Sequence, residues 1–332
     1  MNRRPKVLIV GGAGFIGSHV NKYMHTANFD TYVLDNLQSG HKKAVVRGTF
    51  IQGDVADKDL LHDIFTKHRF EAVMHFASYL DVGESMQNPL KYYENNVANT
   101  ITLLNAMQKH GVKHFIFSSS AAVYGIPEKN PISESHPKNP ISPYGKTKVA
   151  IENILSDMAH AYDFTFCSLR YFNAAGGDVD REIPNLKKHE HNLIPVLLKN
   201  IKRGNVTAKI FGTDYDTIDG TCIRDYVHVS DLANAHALSL KSLLDGAPSN
   251  IFNLGTGVGY TVKQVIHAIE NVTKIPLQIE YTKRRRGDPP ILLADAKKAK
   301  TALNWHPKYT NVEDMVLHAW DSIAKITPHE IN

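Results

Sequence analysis

The sequence predicts an α/β protein built on a doubly wound parallel sheet, with a smaller C-terminal domain. Three observations carry that expectation. Short apolar runs alternate with longer segments of helical spacing through the first half, the first run opens onto a glycine-rich turn, and the texture changes after Asn173. Each short run reads as a strand buried on both faces, and each longer segment as a crossover helix. Repeated units of this kind require right-handed crossovers, which place helices on both faces of one sheet.

In chain order, strands are expected at 7–10, 31–34, 49–52, 72–76, 114–117 and 164–169, and helices at 15–26, 58–67, 89–110 and 144–161. Beyond Asn173, Gly176-Gly177-Asp178 opens a polar stretch that runs to His191 without strong periodicity. Shorter helical and strand-like pieces follow, including 193–203 and 251–254. The boundary is therefore expected near 174. It divides the chain into domains 1–173 and 174–332, with some segments of the second half returning to the first domain.

Composition narrows the class. With 42% hydrophobic and 21% charged residues among 332, the chain can bury a sizeable core, which excludes disorder and disulfide-dependent miniproteins. A net charge of +5 suits a small anionic substrate but is too dilute for a nucleic-acid binder. Cys167 and Cys222 stand in unrelated contexts and read as buried small hydrophobes in a reducing compartment. The apolar run behind the basic N-terminus stops after four residues at Gly11-Gly12, and none reaches the ~18 residues of a membrane span. A soluble, cytoplasmic protein without membrane or nucleic-acid partners is expected.

The first turn carries a cofactor signal. Val7-Leu8-Ile9-Val10-Gly11-Gly12-Ala13-Gly14-Phe15-Ile16-Gly17 is a strand, a glycine turn and a helix start. Such glycines permit a tight turn, close approach of a pyrophosphate and close helix–strand packing, while the helix N-terminus offers unpaired N–H groups. Asp35 closes the next strand, where a carboxylate accepts bonds from adenosine ribose hydroxyls and repels a 2′-phosphate. NAD rather than NADP is expected. A nucleotide-triphosphatase loop is excluded, since no Lys-Ser/Thr pair follows the glycines.

Tyr144-Gly145-Lys146-Thr147-Lys148 places Tyr144 and Lys148 four apart on one helix face. An ammonium there favours the phenolate, so the tyrosine can take a proton from a substrate hydroxyl near neutral pH. Tyr-x-x-x-Lys spacing recurs by chance, but here Phe115-Ile116-Phe117-Ser118-Ser119-Ser120 reads as a strand ending in hydroxyls at the ligand-bearing edge of the sheet. Ser120 is placed to hydrogen-bond the same substrate oxygen.

These motifs, with Asn36-Leu37-Gln38-Ser39-Gly40, Gly53-Asp54-Val55, Val82-Gly83-Glu84-Ser85, Tyr92-Tyr93-Glu94-Asn95-Asn96, Val123-Tyr124-Gly125, Ser142-Pro143-Tyr144, Arg170-Tyr171-Phe172-Asn173, Gly220-Thr221-Cys222-Ile223-Arg224-Asp225-Tyr226 and Arg285-Arg286-Gly287-Asp288, make the chain resemble the UDP-glucose 4-epimerases of the extended short-chain dehydrogenase/reductase superfamily. The likeness runs from Val7 to about Pro307. It implies a Rossmann-like NAD-binding domain followed by a UDP-sugar-binding domain. It makes Tyr144 the base, Lys148 its electrostatic partner and Ser120 the hydroxyl on the reacting oxygen. NAD contacts are implied at Gly11, Gly14, Phe15, Ile16, Gly17, Asp35, Asn36, Phe76, Ala77 and Asn96, besides Tyr144 and Lys148, with Asp54 and Val55 at the adenine and Tyr171 near the nicotinamide. Ser120, Tyr144, Asn173, Asn192, Leu193, Phe211, Arg224, Arg285 and Asp288 are implied to hold the UDP-sugar, with Leu292 at the variable sugar gate. The implied reaction oxidises C4 of a UDP-hexose and returns the hydride to the other face of the 4-ketose, with UDP-glucose and UDP-galactose as the implied substrates and the N-acetylated sugars as a further candidate class.

Three positions depart from the family pattern. Leu80 replaces a lysine that one branch places near the cofactor phosphates, Ala122 replaces a common threonine, and Leu292 replaces a frequent tyrosine. The nearest rival activities are UDP-pentose 4-epimerisation, 4,6-dehydration and UDP-glucuronate decarboxylation. Dehydratases carry an Asp-Glu pair and decarboxylases a glutamate where this chain has Ala121-Ala122. A non-catalytic NAD-binding regulator is the rival of another class, and an intact Tyr144–Lys148–Ser120 set argues against it. His189, Glu190 and His191 read as a solvated loop rather than a metal site, and no metal is expected. Lys283-Arg284-Arg285-Arg286 reads as a basic solvated face that includes a phosphate contact at Arg285. The 89–110 helix reads as core-facing, with an outer face available for a homodimer.

Overall fold

The computed structural model describes residues 4–187, 190–285 and 287–324. From the N-terminus, β1 (Lys6–Val10) passes through the glycine turn into α1 (Phe15–Thr26), followed by β2 (Asp30–Asp35), β3 (Thr49–Gln52), α2 (Lys58–His68) and β4 (Ala72–His75). Short helices α3 (Val82–Gln87) and α4 (Pro89–Tyr92), a π-helical stretch Tyr93–Ala98 and α5 (Asn99–Lys109) lead to β5 (His114–Ser120), α6 (Pro143–Ala161) and β6 (Thr165–Tyr171). The second half adds β7 (Asn173–Ala175), α7 (Leu193–Lys202), β8 (Thr207–Phe211), β9 (Ile223–His228), α8 (Val229–Leu244), β10 (Asn250–Leu254), β11 (Gly259–Thr261), α9 (Val262–Thr273), β12 (Gln278–Thr282), β13 (Ile291–Leu292), α10 (Lys297–Leu303) and α11 (Val312–Ala324).

Seven strands form one sheet in the order β10-β6-β5-β4-β1-β2-β3. β1 pairs in parallel with both β2 and β4, β2 with β3 and β4 with β5. The chain winds outward from β1 through β2 and β3, then crosses back to β4 and winds the other way. The loops after β1 and β4 therefore diverge, opening the crevice in which such sheets bind ligands. Every residue of β4 and all but the first of β1 are buried, as expected of central strands covered on both faces. Leu8, Val10, Leu34, Val73, Phe115 and Phe117 belong to one core packed against α2, α5 and α6 residues including Phe65, Leu104 and Ile151.

The 251–254 piece is β10 and forms the edge of the large sheet beside β6. Its apolar run could not reveal which sheet it joins. One expectation changes here. The 89–110 segment is helical throughout but is not one α-helix, because the π-helical stretch interrupts it. Periodicity averages over such an insertion. Cys167 and Cys222 are both buried thiols. Among the described residues no helix is long and apolar enough to cross a membrane.

The chain divides into two compact units. The first comprises 1–125, 137–170 and 233–252, and the second 126–136, 171–232 and 253–332. The second unit has its own sheets, β11-β9-β13 with β7 alongside β9, and β12-β8. Its core draws Leu198 from α7, Ile269 from α9 and Val316 from α11 together with Ile210 and Tyr226. Asp225 of β9 is the polar centre of this unit. Fully buried, it accepts from the N–H and Oγ1 of Thr256 at 2.8 and 2.9 Å, from Gly257 N at 2.9 Å and from Ala294 N at 3.0 Å.

Asp225→Ala leaves three backbone donors without an acceptor, a loss of about 3 kcal/mol or more if each orphaned donor costs at least about 1 kcal/mol. Urea unfolding checks this. A change below about 1 kcal/mol would show that Asp225 does not organise the unit.

Candidate active site

The glycine turn is shaped by close approach. Gly11 has φ +79°, and a Cβ there would lie 2.4 Å from the backbone nitrogen of Ala77, the residue after Phe76 at the end of β4. A Cβ on Gly17 would lie 2.4 Å from the Gly11 carbonyl oxygen. Gly14 caps α1 without any side-chain bond, so the first-turn N–H groups at Phe15, Ile16 and Gly17 stand at an uncapped helix end. The Asp35 carboxylate accepts from Ala13 N at 2.9 Å and Leu37 N at 2.8 Å, tying the turn to the end of β2. Each oxygen retains a further lone pair. Burial pushes this carboxyl up, opposed by those two backbone bonds.

Asn36 Nδ2 donates to Asp54 Oδ2 at 2.7 Å, and Val55 beside it is buried. The buried Asn96 amide clamps Tyr79, accepting from its N–H at 2.9 Å and donating to its carbonyl at 3.0 Å. A side-chain-free cradle, an uncapped helix end and a buried carboxylate one strand away are the features a dinucleotide needs. The residues present fit NAD.

The hydroxyl cluster lies at the end of β5. Helix α6 starts at Ser142, whose Oγ accepts from Gly145 N at 3.2 Å, with Pro143 in the first turn. A Cβ on Gly145 would lie 2.6 Å from the Ala122 carbonyl oxygen, so the helix rests directly on the turn after β5. The Ser120 hydroxyl is set against the Tyr144 hydroxyl. Lys148 Nζ donates to Ser118 O at 2.8 Å and Ser78 Oγ at 2.9 Å, and lies 5.7 Å from the centre of the Tyr144 ring.

The electrostatics differ from the sequence expectation, in which Lys148 lowers Tyr144. Burial pushes the Tyr144 phenol up, and the bond from Ser120 is what opposes the rise. Burial also pushes Lys148 down to about 7, with the Glu152 carboxylate opposing. Desolvation penalises the charged form of each group, a term that residue spacing does not reveal.

Of the residues read for the substrate, several meet in the second unit. The Arg285 guanidinium lies 3.8 Å over the Phe211 ring. Arg224 donates to Pro289 O at 2.8 Å and approaches Asp288 at 3.6 Å, while Leu292 faces Arg224 in the β13–β9 register. Asn173 opens β7, and Asn192 and Leu193 stand at the start of α7, on other elements of that unit, while Tyr171, read for the nicotinamide, ends β6.

One reading of a polar stretch is corrected. Glu190 is not a solvated side chain: it is largely buried and accepts from Lys199 Nζ at 2.8 Å, with Lys187 at 3.8 Å. Its neighbour His189 lies outside the described residues. Lys283, Arg284 and Arg285 are exposed, with Arg284 paired to Asp214 at 2.7 Å and over the Tyr215 ring at 4.2 Å, and Arg286 lies outside the described residues. Sequence reasoning missed Ser78, His75, Glu152 and Arg170 around Lys148. Only Glu152 left a signal, its position four residues after Lys148 on the same helix face.

Residues 7–255 match the model of the NAD dependent epimerase/dehydratase family. The chain belongs to this family. It is 48% identical over 315 residues to the UDP-glucose 4-epimerase of Halalkalibacterium halodurans, covering 95% of this chain and 94% of the relative. The structure of the UDP-glucose 4-epimerase from Brucella ovis in complex with NAD superposes with a TM-score of 0.93 at 41% identity, over 98% of each chain. That of the UDP-glucose 4-epimerase from Bifidobacterium longum in complex with NAD+ and UDP gives 0.89 at 36% identity, over 96% of this chain and 97% of the other.

Beneath the site, His75 Nε2 meets Thr100 Oγ1 at 2.9 Å, and burial, aided by the charge of Lys148, pushes the imidazole from 6.5 down to about 3. Above pH 6.5 this histidine is neutral whether folded or unfolded. Below it the unfolded chain takes up a proton that the folded one refuses, so stability falls by about 1.4 kcal/mol per unit until about pH 3. His75→Gln should flatten that part of the stability–pH curve. Equal slopes in the two proteins would contradict a neutral buried His75.

Proposed function

We propose that this protein interconverts UDP-glucose and UDP-galactose by NAD-dependent epimerisation at C4. The observation that carries the reading is the meeting of Ser120, Tyr144 and Lys148 at the carboxyl edge of a sheet whose neighbouring turn fits a dinucleotide. Family membership gives the reaction class. NAD, when bound, accepts the hydride from C4 and returns it, and its positive charge favours the phenolate.

The remaining work falls to the chain. Ser120 holds the 4-oxygen, Tyr144 takes its proton and gives it back, and Lys148 supports the charge on Tyr144. NAD is assigned to Gly11, Gly14, Phe15, Ile16, Gly17, Asp35, Asn36, Asp54, Val55, Phe76, Ala77 and Asn96 of the first unit, and Tyr171 is assigned to the nicotinamide. The second unit is assigned to the UDP-sugar, with Arg224 and Arg285 as the cations for a pyrophosphate and Asn173, Asn192, Leu193, Phe211 and Asp288 around them. Dehydration and decarboxylation lack their acid–base groups, because the positions after Ser120 are Ala121 and Ala122. A cytoplasmic homodimer completes the reading. It is supported by the exposure of Met86 (61%), Leu90 (80%) and Ile101 (40%) on the α3–α5 segment of the first unit.

Purified protein should convert UDP-galactose to UDP-glucose, and Tyr144→Phe should lower kcat by roughly 10²–10⁴ without unfolding the chain or releasing NAD. A variant with near wild-type kcat would overturn the assignment of the base.

Leu292 is shorter than tyrosine and longer than serine, which predicts turnover of the plain sugars with weaker turnover of UDP-N-acetylglucosamine. One apolar side chain shifts such a preference by about 1–3 kcal/mol, or roughly ten- to two-hundredfold. Leu292→Tyr should raise the ratio of kcat/KM for plain over acetylated sugars, and an unchanged ratio would remove Leu292 from the gate.

A further inference from the structure

β5 ends in three consecutive serines, and each engages a different residue of α6, the three spaced one helical turn apart. Ser120 meets the Tyr144 hydroxyl, the Ser118 carbonyl accepts from Lys148 Nζ at 2.8 Å, and Ser119 Oγ donates to Glu152 Oε1 at 2.7 Å. The first two contacts hold the proposed base and its partner. The third holds a carboxylate to which the reaction as described gives no role.

That carboxylate is fixed from several sides. Its side chain is 1% exposed, and Arg170 on β6 grips it with Nε on Oε1 at 2.8 Å and Nη2 on Oε2 at 2.7 Å. Arg170 Nη1 donates in turn to Tyr124 Oη at 2.7 Å, and Lys138 Nζ stands 3.7 Å from Oε2. Such a buried pair does little for stability compared with apolar side chains of equal volume, so its placement calls for another reason.

We propose that Glu152 is the positioning residue that favours the ammonium form of Lys148: its carboxylate, fixed by Arg170 and Ser119, stands one helical turn beyond the lysine on the same face of α6 and so sets the pH range in which Tyr144 serves as base. This rests on the reading of Tyr144 and Lys148 given above. The surroundings of Lys148 support it. Its direct acceptors, Ser118 O and Ser78 Oγ, are neutral, and the Phe117 ring centre lies 4.9 Å from Nζ. From β4 it is faced by His75, which burial keeps neutral, and on its own helix by Tyr144 and Glu152. Arg170 and Lys138 stand against Glu152. Burial works against the ammonium, and Glu152 is the charge that opposes it.

The test is the pH dependence of kcat for UDP-galactose, measured on the holoenzyme. Wild type is compared with Glu152→Gln and with the double variant Glu152→Gln/Arg170→Gln, which leaves no unpaired guanidinium and carries the test if the single variant does not fold. Without the carboxylate, Lys148 loses its proton at lower pH. The alkaline limb of kcat should therefore move down by about one pH unit in both variants, with KM and NAD content changed less than about twofold. A limb that stays in place, or a double variant that regains the wild-type profile, would reduce Glu152 to a structural ion pair. Tyr144→Phe in the same series separates the two readings. If that variant stays active, the assignment of the base fails. If it is inactive while the alkaline limbs coincide, only the role of Glu152 fails.

Discussion

The seating of α6 on the end of β5 is the contact on which the rest of this structure depends. It is possible because Gly145 has no side chain to strike the Ala122 carbonyl, and because Pro143 and Ser142 start the helix at that level. Once seated, the helix presents Tyr144, Lys148 and Glu152 to three serines in succession. A strand end is a rigid place from which to aim side chains, and a helix repeats its aim every turn. The chemistry of the site follows from that register.

The same seating buries charge, and burial has a direction. Lys148 is lowered to about 7 and Tyr144 is raised, so burial moves each group away from the charged form that base catalysis uses. Compensation comes from fixed partners, the Ser120 hydroxyl on one group and the Glu152 carboxylate on the other. Such a site is tuned by what surrounds it more than by the two residues at its centre. Neutral His75 beneath the sheet edge is the third product of the same low-polarity surroundings.

How much of this was legible in the sequence depends on whether the signal was local. The parallel strands and the glycine turn were, since an apolar run such as 72–75 and a strand–glycine–helix junction announce themselves within a dozen residues. The Tyr144–Lys148 pair was legible through helical spacing. What escaped was long-range. Nothing local says that β10 joins β6, that Glu190 is the partner of buried Lys199, or that Arg170 reaches Glu152 across 18 residues. The raised Tyr144 and the lowered Lys148 escaped for the same reason, because desolvation belongs to the packed structure.

The account holds that Tyr144 moves only the hydroxyl proton, while the hydrogen on C4 stays within the site throughout. UDP-galactose carrying deuterium at C4 tests this directly. After conversion in ordinary water, the UDP-glucose formed should keep the deuterium at C4, as read by NMR or mass spectrometry. Loss of the label to water, or uptake of solvent hydrogen at C4, would contradict the account.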